Sequence, residues 1–148
     1  MKVIEVELDR DEMADITEEV RKFVEESGVS EGAVLIFSVG STGAVTTIEY
    51  EPGLKKDFPR VMERIAPYAD HYEHHKTWGD DNGSSHVKAA IIGPSLVVPF
   101  QNKKLMLGTW QQIVVINFDT RRRRRKVVLQ ILSDHLSALS DGASTGSH

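Results

Sequence analysis

Between Lys2 and Leu8 the apolar residues Val3, Ile4, Val6 and Leu8 are interleaved with charged ones, the short period expected of a strand with one face toward a core. Asp15 and Glu18 have capping-box spacing, with Asp in place of Ser or Thr. Behind them Ile16, Val20, Phe23 and Val24 fall on one helical face before Gly28, a helix stop signal. Ala33 to Val39 is almost wholly apolar, which predicts a strand buried on both faces. Gly40-Ser41-Thr42-Gly43 interrupts it, and the β-branched run from Ala44 to Glu51 predicts the next strand. After Pro52-Gly53, the residues Leu54, Phe58, Val61, Met62 and Ile65 mark a second amphipathic helix ending at Pro67. Pro59 is compatible with that helix if the first turn lies near Phe58 or Pro59.

The pattern dissolves from Tyr68 to Ser85 into aromatic, His, Asp, Asn and Gly residues. A loop of that length in a small domain is usually functional or disordered, and Tyr68, Tyr72 and Trp78 argue for order. Four strand-like segments follow: His86 to Ile92, Ser95 to Phe100, Lys104 to Leu107 and Gln111 to Phe118. A fifth runs from Lys126 to Leu132. Two main helices among about eight strands imply an α+β fold, an antiparallel β-sandwich or bent sheet with helices on one side. Residues 1–134 form one domain in this reading. Residues 135–148 are a small, polar tail, expected to be partly disordered or extraneous to the domain.

Composition narrows the function classes. Eighteen Lys and Arg stand against 22 Asp and Glu, a formal charge of −4, so nucleic acid is not an expected partner. Cysteine is absent, which removes disulfides, thiolate metal sites and cysteine nucleophiles together. No run approaches a membrane span or a secretory leader, and a soluble cytoplasmic protein is expected.

The densest cluster of potential ligands is His71, His74, His75, Asp80, Asp81, Asn82 and His86. Imidazole with carboxylate suits zinc; Asp80, Asp81 and Asn82 alone would suit magnesium. The spacing matches no established metal signature, and a solvated polar loop is the plain alternative. His86 differs because it opens an apolar segment and is therefore anchored, a good position for a ligand or an acid–base group. Ser41 and Thr42 sit in a turn whose hydroxyls and amides can receive phosphate oxygens, although Gly-Ser-Thr-Gly is also ordinary turn chemistry. In Gly108-Thr109-Trp110-Gln111, Trp110 can wall a pocket with Gln111 supplying hydrogen bonds; a core tryptophan is the alternative. Arg121 to Arg125 is an unbroken arginine run. In a strand its members alternate between faces, so one or two, with Arg122 as the candidate, meet a phosphate while the rest pair with acids. Asp57 either caps the second helix or faces a pocket.

Together these segments resemble the YjbQ-like family, whose members are called secondary thiamine-phosphate synthases. The resemblance rests on Ser85-His86-Val87-Lys88-Ala89 leading to Ile92-Gly93-Pro94-Ser95, on Leu107-Gly108-Thr109-Trp110-Gln111, on Tyr72-Glu73-His74, and on Phe118-Asp119 with the arginines after it. It implies an α+β sandwich, a homotrimer with sites near subunit boundaries, and a polar pocket of His74, Asn82, His86 and Gln111, with Asp57 as the acidic residue before the second helix. The implied activity is weak thiamine-phosphate synthesis, joining hydroxymethylpyrimidine diphosphate to thiazole phosphate and releasing diphosphate. In that reading Trp110 walls the pyrimidine, and Asp57 or Asp81 holds a divalent metal, zinc or magnesium. His74 and His86 are metal ligands or acid–base groups, and an arginine near Arg122 meets phosphate. Thr109, Ser41, Thr42 and Asn82 complete the substrate contacts, and no organic cofactor is expected. Two alternatives stand beside it: a non-catalytic trimer binding a small phosphorylated metabolite, and a metal-dependent phosphoester hydrolase. Where many family members carry a histidine, this chain has Ser41, and serine cannot replace imidazole.

Overall fold

The computed structural model describes residues 1–133; the polar tail lies outside the described residues. Eight strands and four helices follow in the order β1 (Lys2–Leu8), β2 (Met13–Asp15), α1 (Thr17–Glu26), β3 (Gly32–Val39), β4 (Gly43–Ile48), α2 (Pro52–Ile65), α3 (His74–Trp78), α4 (Gly83–Ile92), β5 (Ser95–Gln101), β6 (Lys104–Leu105), β7 (Gln112–Asn117) and β8 (Arg123–Leu132). One sheet has the order β1-β8-β3-β5-β6 and the other β2-β7-β4, and every pairing is antiparallel.

The hydrophobic residues explain how the layers stack. Val34, Ile36, Val98, Phe100, Val127 and Leu129 of the five-stranded sheet share a core with Val45, Ile113 and Val115 of the three-stranded one, with Val20 and Val24 of α1 at its side. The opposite face of the small sheet carries Ala44, Val114 and Ile116, and these pack on Met62 of α2 and Ala89 of α4. The α+β sandwich with helices covering one side is therefore present. The strand buried on both faces is β7, whose alternate residues serve the two cores. β3 is not: Val34, Ile36 and Ser38 point inward while Phe37 and Val39 are exposed.

Two expected elements are different. His86 to Ile92 is not a strand but most of helix α4. The run Val87-Lys88-Ala89-Ala90-Ile91-Ile92 carries no helical stripe of apolar residues, because the inward face is Ser84, Ser85, Lys88 and Ala89 while Val87 and Ile91 are exposed. Those inward positions are one helical face, and Lys88 is tolerated there because its ammonium reaches Glu63 at 3.0 Å. Helix α2 starts at Pro52, well before Phe58. Glu51 caps it, its carboxylate accepting from the Gly53 and Leu54 N–H groups at 2.8 and 2.6 Å. Pro59 lies inside the helix and removes one backbone bond; the packing of Phe58 on Phe118, with ring centroids 6.3 Å apart, holds the segment in place. The stretch from Tyr68 to Ser85 is ordered around the short helix α3.

Candidate functional site

Three connections meet at one end of the three-stranded sheet: the Gly40–Thr42 turn between β3 and β4, the start of α4, and the turn from β7 into β8. Asn82 ties the last two together. Its amide donates to Asp119 Oδ1 at 3.3 Å, and its carbonyl oxygen accepts from the Thr120 N–H and hydroxyl, both at 3.2 Å. One turn along α4, His86 faces the same space. The result is an open cavity of about 430 Å³ lined by Gly40, Ser41, Thr42, Asp80, Asn82, His86, Asp119 and Arg123 to Arg125, within the range of small-ligand sites.

The arginine run divides as a strand requires. Arg122 and Arg124 turn to the acidic edge of β1: Arg122 meets Asp9 at 2.9 Å and Glu7 at 3.3 Å, and Arg124 meets Glu7 at 3.0 Å. Arg123 and Arg125 turn the other way. Arg123 Nε donates to Asp119 Oδ2 at 3.0 Å. Arg125 is only 5% exposed, and its partners are neutral: Nε donates to Asn117 Oδ1 at 3.2 Å, and Nη2 donates to Asn117 Oδ1 at 2.5 Å and Thr42 Oγ1 at 2.6 Å. Nη1 lies beside Gly40, where a Cβ would stand 3.0 Å from it; at φ +128° that position also favours glycine. Burial lowers the Arg125 pKa, opposed by the nearby Asp119 charge, yet arginine stays protonated. No carboxylate is bonded to this buried guanidinium, so its charge is balanced by neutral acceptors only.

Asp119 is the counterweight. Burial pushes its carboxyl upward. The Arg121 N–H, the Thr42 hydroxyl and Arg123 together overcome that and hold it below the ordinary carboxylate range, so it is ionised at neutral pH. His86 shifts downward, first by burial and then by the neighbouring His74, against the charges of Asp80 and Asp119 and a backbone bond with Ser41. It is therefore mostly neutral near pH 7 and can accept a proton. The His74 and His86 rings have centroids 4.5 Å apart, and His74 Nε2 is 3.1 Å from Asp80 Oδ1.

The structure thus gathers His74, Asn82, His86, Ser41 and Thr42. It leaves other candidates elsewhere. Asp57 is exposed on α2 and pairs with Arg60 at 3.3 Å. Arg122 is held by Glu7 and Asp9, as above. Asp81 accepts from the hydroxyls of Tyr68 at 3.0 Å and Thr120 at 3.1 Å; the carboxylate that reaches His74 is Asp80. Gln111 bonds Thr47 Oγ1 and the Gly108 N–H, each at 3.0 Å, beside a separate depression of about 250 Å³ containing Leu96, Val97 and Met106. The β4–β7 register runs from Gly43 opposite Asn117 to Ile48 opposite Gln112, so within one chain the Thr109–Gln111 turn lies roughly 16 Å from the cavity at strand rise. Trp110 there is 69% exposed, neither a core residue nor a wall of this cavity. Among the described residues no group of three or more His, Asp or Glu is arranged to hold a metal ion, and Asp81 turns to Tyr68 and Thr120 and not to His74.

Sequence reasoning placed Asp80 only among several loop ligands and Asp119 only within a family motif, and it favoured Arg122 over Arg123 and Arg125. For the arginines a signal existed: Val127 and Leu129 fix the inward parity of β8, and that parity selects Arg125 and Arg123 over Arg122.

A sequence model of the UPF0047 (YjbQ-like) proteins matches residues 2–134. This chain belongs to that family. A UPF0047 protein of Archaeoglobus fulgidus is 40% identical over 119 residues, 80% of this chain and 90% of that protein. YugU of Bacillus subtilis is 38% identical over 116 residues, 78% and 86% of the two chains. Among crystal structures, a protein of unknown function from Sulfolobus solfataricus P2 superposes with a TM-score of 0.81 at 31% identity, covering 90% of this chain and 97% of that one. An uncharacterised member from Clostridium acetobutylicum gives 0.77 at 35% identity, covering 87% and 99%. The family resemblance read from the sequence and the α+β sandwich are both confirmed. No helix among the described residues is long and apolar enough to cross a membrane.

Proposed function

We propose that this member of the family binds a small phosphorylated metabolite with its phosphate on Arg125 and Arg123, and that it carries a weak thiamine-phosphate synthase activity there. The observation behind this reading is the buried Arg125 with neutral partners only, opposed across the cavity by His86. In the proposed reaction the thiazole nitrogen forms a bond to the pyrimidine methylene while the methylene–oxygen bond to diphosphate breaks. The two guanidiniums stabilise the charge that accumulates on the departing diphosphate. The Ser41 hydroxyl donates to its oxygens, Thr42 being committed to Asp119 and Arg125, and neutral His86 orients the reacting partners as a hydrogen-bond acceptor; the thiazole nitrogen carries no proton, so the bond-forming step releases none.

The expected result is that His86→Ala lowers thiamine-phosphate formation by the purified protein at least about tenfold, with the fold intact by circular dichroism. The wild-type rate rises with pH as His86 loses its proton. Because its pKa is lowered, that acid limb should lie below about pH 6.5 and be missing in the variant. Equal rates in the two proteins would reject the assignment. Ser41, at a position where the family resemblance implies histidine, favours a second reading in which the site only binds. Phosphorylated pyrimidines or thiazoles would then raise the melting temperature with no turnover.

The reading includes a homotrimer. Supporting it, Val3, Phe37, Val39 and Val97 are exposed on the outer side of the five-stranded sheet, and the register sets Leu35 beside Val97 and Phe37 beside Val128. A contiguous apolar face of this kind is usually covered by a partner. Sedimentation should give three times the chain mass for the wild type and one chain mass for Phe37→Glu; a wild-type monomer would overturn this part.

A further inference from the structure

Helix α4 is turned against its own apolar residues. Ser84, Ser85 and Lys88 are buried while Val87, Ala90 and Ile91 face outward, and its footing in the core is Ala89 with the partly buried Ile92. Apolar burial alone would bring Val87 and Ile91 inward and swing His86 off the cavity. Polar bonds hold the opposite rotation. Ser84 donates to the Ala66 carbonyl, and the buried Lys88 ammonium donates to Glu63 Oε1 at 3.0 Å. Two residues along a helix stand about 200° apart, so Lys88 pulls on the side of α4 nearly opposite His86.

Glu63 anchors a second element as well. Both its carboxylate oxygens accept the Tyr68 N–H at 3.0 Å, at the entrance to the segment that brings His74 and Asp80 beside α4. The Tyr68 hydroxyl donates to Asp81, near the far end of that segment, at 3.0 Å. The Arg10 guanidinium lies over the Tyr68 ring, 4.5 Å from its centroid. Burial pushes the Glu63 carboxyl upward, but the Tyr68 N–H and Lys88 more than reverse this and hold it below the ordinary carboxylate range. The two imidazoles, 4.5 Å apart at their centroids, therefore arrive on different elements tied to one carboxylate. That carboxylate is not part of the cavity wall.

We infer that Glu63 is a positioning residue of the site: through Lys88 it sets the direction of His86, and through Tyr68 that of His74. This rests on the reading that His86 works in this cavity. A carboxylate suits the task because its two oxygens take the ammonium and the amide N–H together. A side-chain amide offers one acceptor oxygen and turns a donor toward the lysine. The guanidiniums are held independently of Glu63, Arg125 by Asn117 and Thr42 and Arg123 by Asp119, so placement of the imidazoles and binding of the anion are separable.

The test is NMR of the full chain with labelled histidines, assigned with His74→Ala and His86→Ala, beside calorimetric titration with inorganic phosphate. The wild type should show a nuclear Overhauser contact between the His74 and His86 rings. Glu63→Gln should lose that contact while phosphate affinity changes less than about threefold, as for sites without shared partners. Its kcat for thiamine-phosphate formation should fall at least about tenfold with KM little changed, the effect of an ångström-scale misplacement. Glu63→Ala, which removes both bonds at a partly exposed position, should also lose the contact. A contact absent from the wild type, or kept at full strength in either variant, would overturn the inference. So would its loss together with a large fall in phosphate affinity or melting temperature, which would make Glu63 a general prop of the fold. If the wild type binds no phosphate or forms no thiamine phosphate, that reading falls, while the ring contact and the melting temperature still decide the role of Glu63.

Discussion

Arg125→Met should weaken binding of inorganic phosphate or diphosphate about a hundredfold, which corresponds to roughly 3 kcal/mol, the scale of charge-assisted hydrogen bonds made in a partly dry site. Arg125→Lys should fall between, at about tenfold, because a lysine keeps the charge and loses the fork. Titration calorimetry reads both. The ligand-free proteins supply the control. Burying a guanidinium with only Asn117 and Thr42 as partners costs desolvation energy that methionine does not incur. Against that, Asn117 Oδ1 loses its guanidinium donors and keeps only the Asp119 N–H at 3.1 Å, a cost of about 1–2 kcal/mol. These effects oppose each other, so unfolding of the free variant should change less than binding does. A variant that binds diphosphate as the wild type does would remove Arg125 from the site and, with it, the observation on which the functional reading stands.

Gly83→Ala should be the most damaging single-methyl change near the site. Gly83 opens α4 and is buried. A Cβ there would run into the Tyr72 side chain and stand 2.9 Å from His75 Nε2. Neither neighbour gives way freely: the Tyr72 hydroxyl donates to the Pro67 carbonyl at 2.6 Å, and His75 Nε2 accepts the Gly83 N–H at 3.1 Å. Overpacking of this kind costs about 2–3 kcal/mol, a fall in melting temperature of roughly 5–10 °C for a chain this size. Because Tyr72 and His75 flank His74, the same change should also pull His74 away from His86. Histidine ring signals in NMR would report that movement, and unaltered signals with an unaltered melting point would refute the packing argument.

The parts of the molecule that could be read in the chain are those where one physical rule dominates. The alternation in β1 and the opposite facing of neighbouring arginines follow from the strand period, the break at Gly40 to Gly43 follows from turn chemistry, and all are present. Helix α4 was misread because its buried face is polar. Ser84 donates to the Ala66 carbonyl and Lys88 to Glu63; the partners come from α2 and the residue that caps its C-terminal end, so nothing local announces the helix. Lys88 in particular reads as a surface residue until its distant acid is known. Within one chain Trp110 stands apart from the polar cavity for a related reason: a rare aromatic beside a turn suggests a pocket, but the extended strand between that turn and the cavity separates the two. Asp119 is legible only as part of a family motif, since a single aspartate before an arginine run has no period to betray it; its meaning comes from Thr42, Asn82 and Arg123 converging on its two oxygens.

The tract from Arg121 to Arg125 has a consequence for how the chain can change. Deleting any one of the five produces the same protein, because the remaining four are indistinguishable. Which of them enters the cavity is decided downstream, by Val127 and Leu129 gripping the interior, and Lys126 keeps its place beside them. A shortened or lengthened tract would therefore still deliver a guanidinium two residues ahead of Val127. The mismatch would be absorbed upstream, in the corner that carries Asp119, so variation in the length of the homopolymer would be felt by that carboxylate and not by the buried guanidinium.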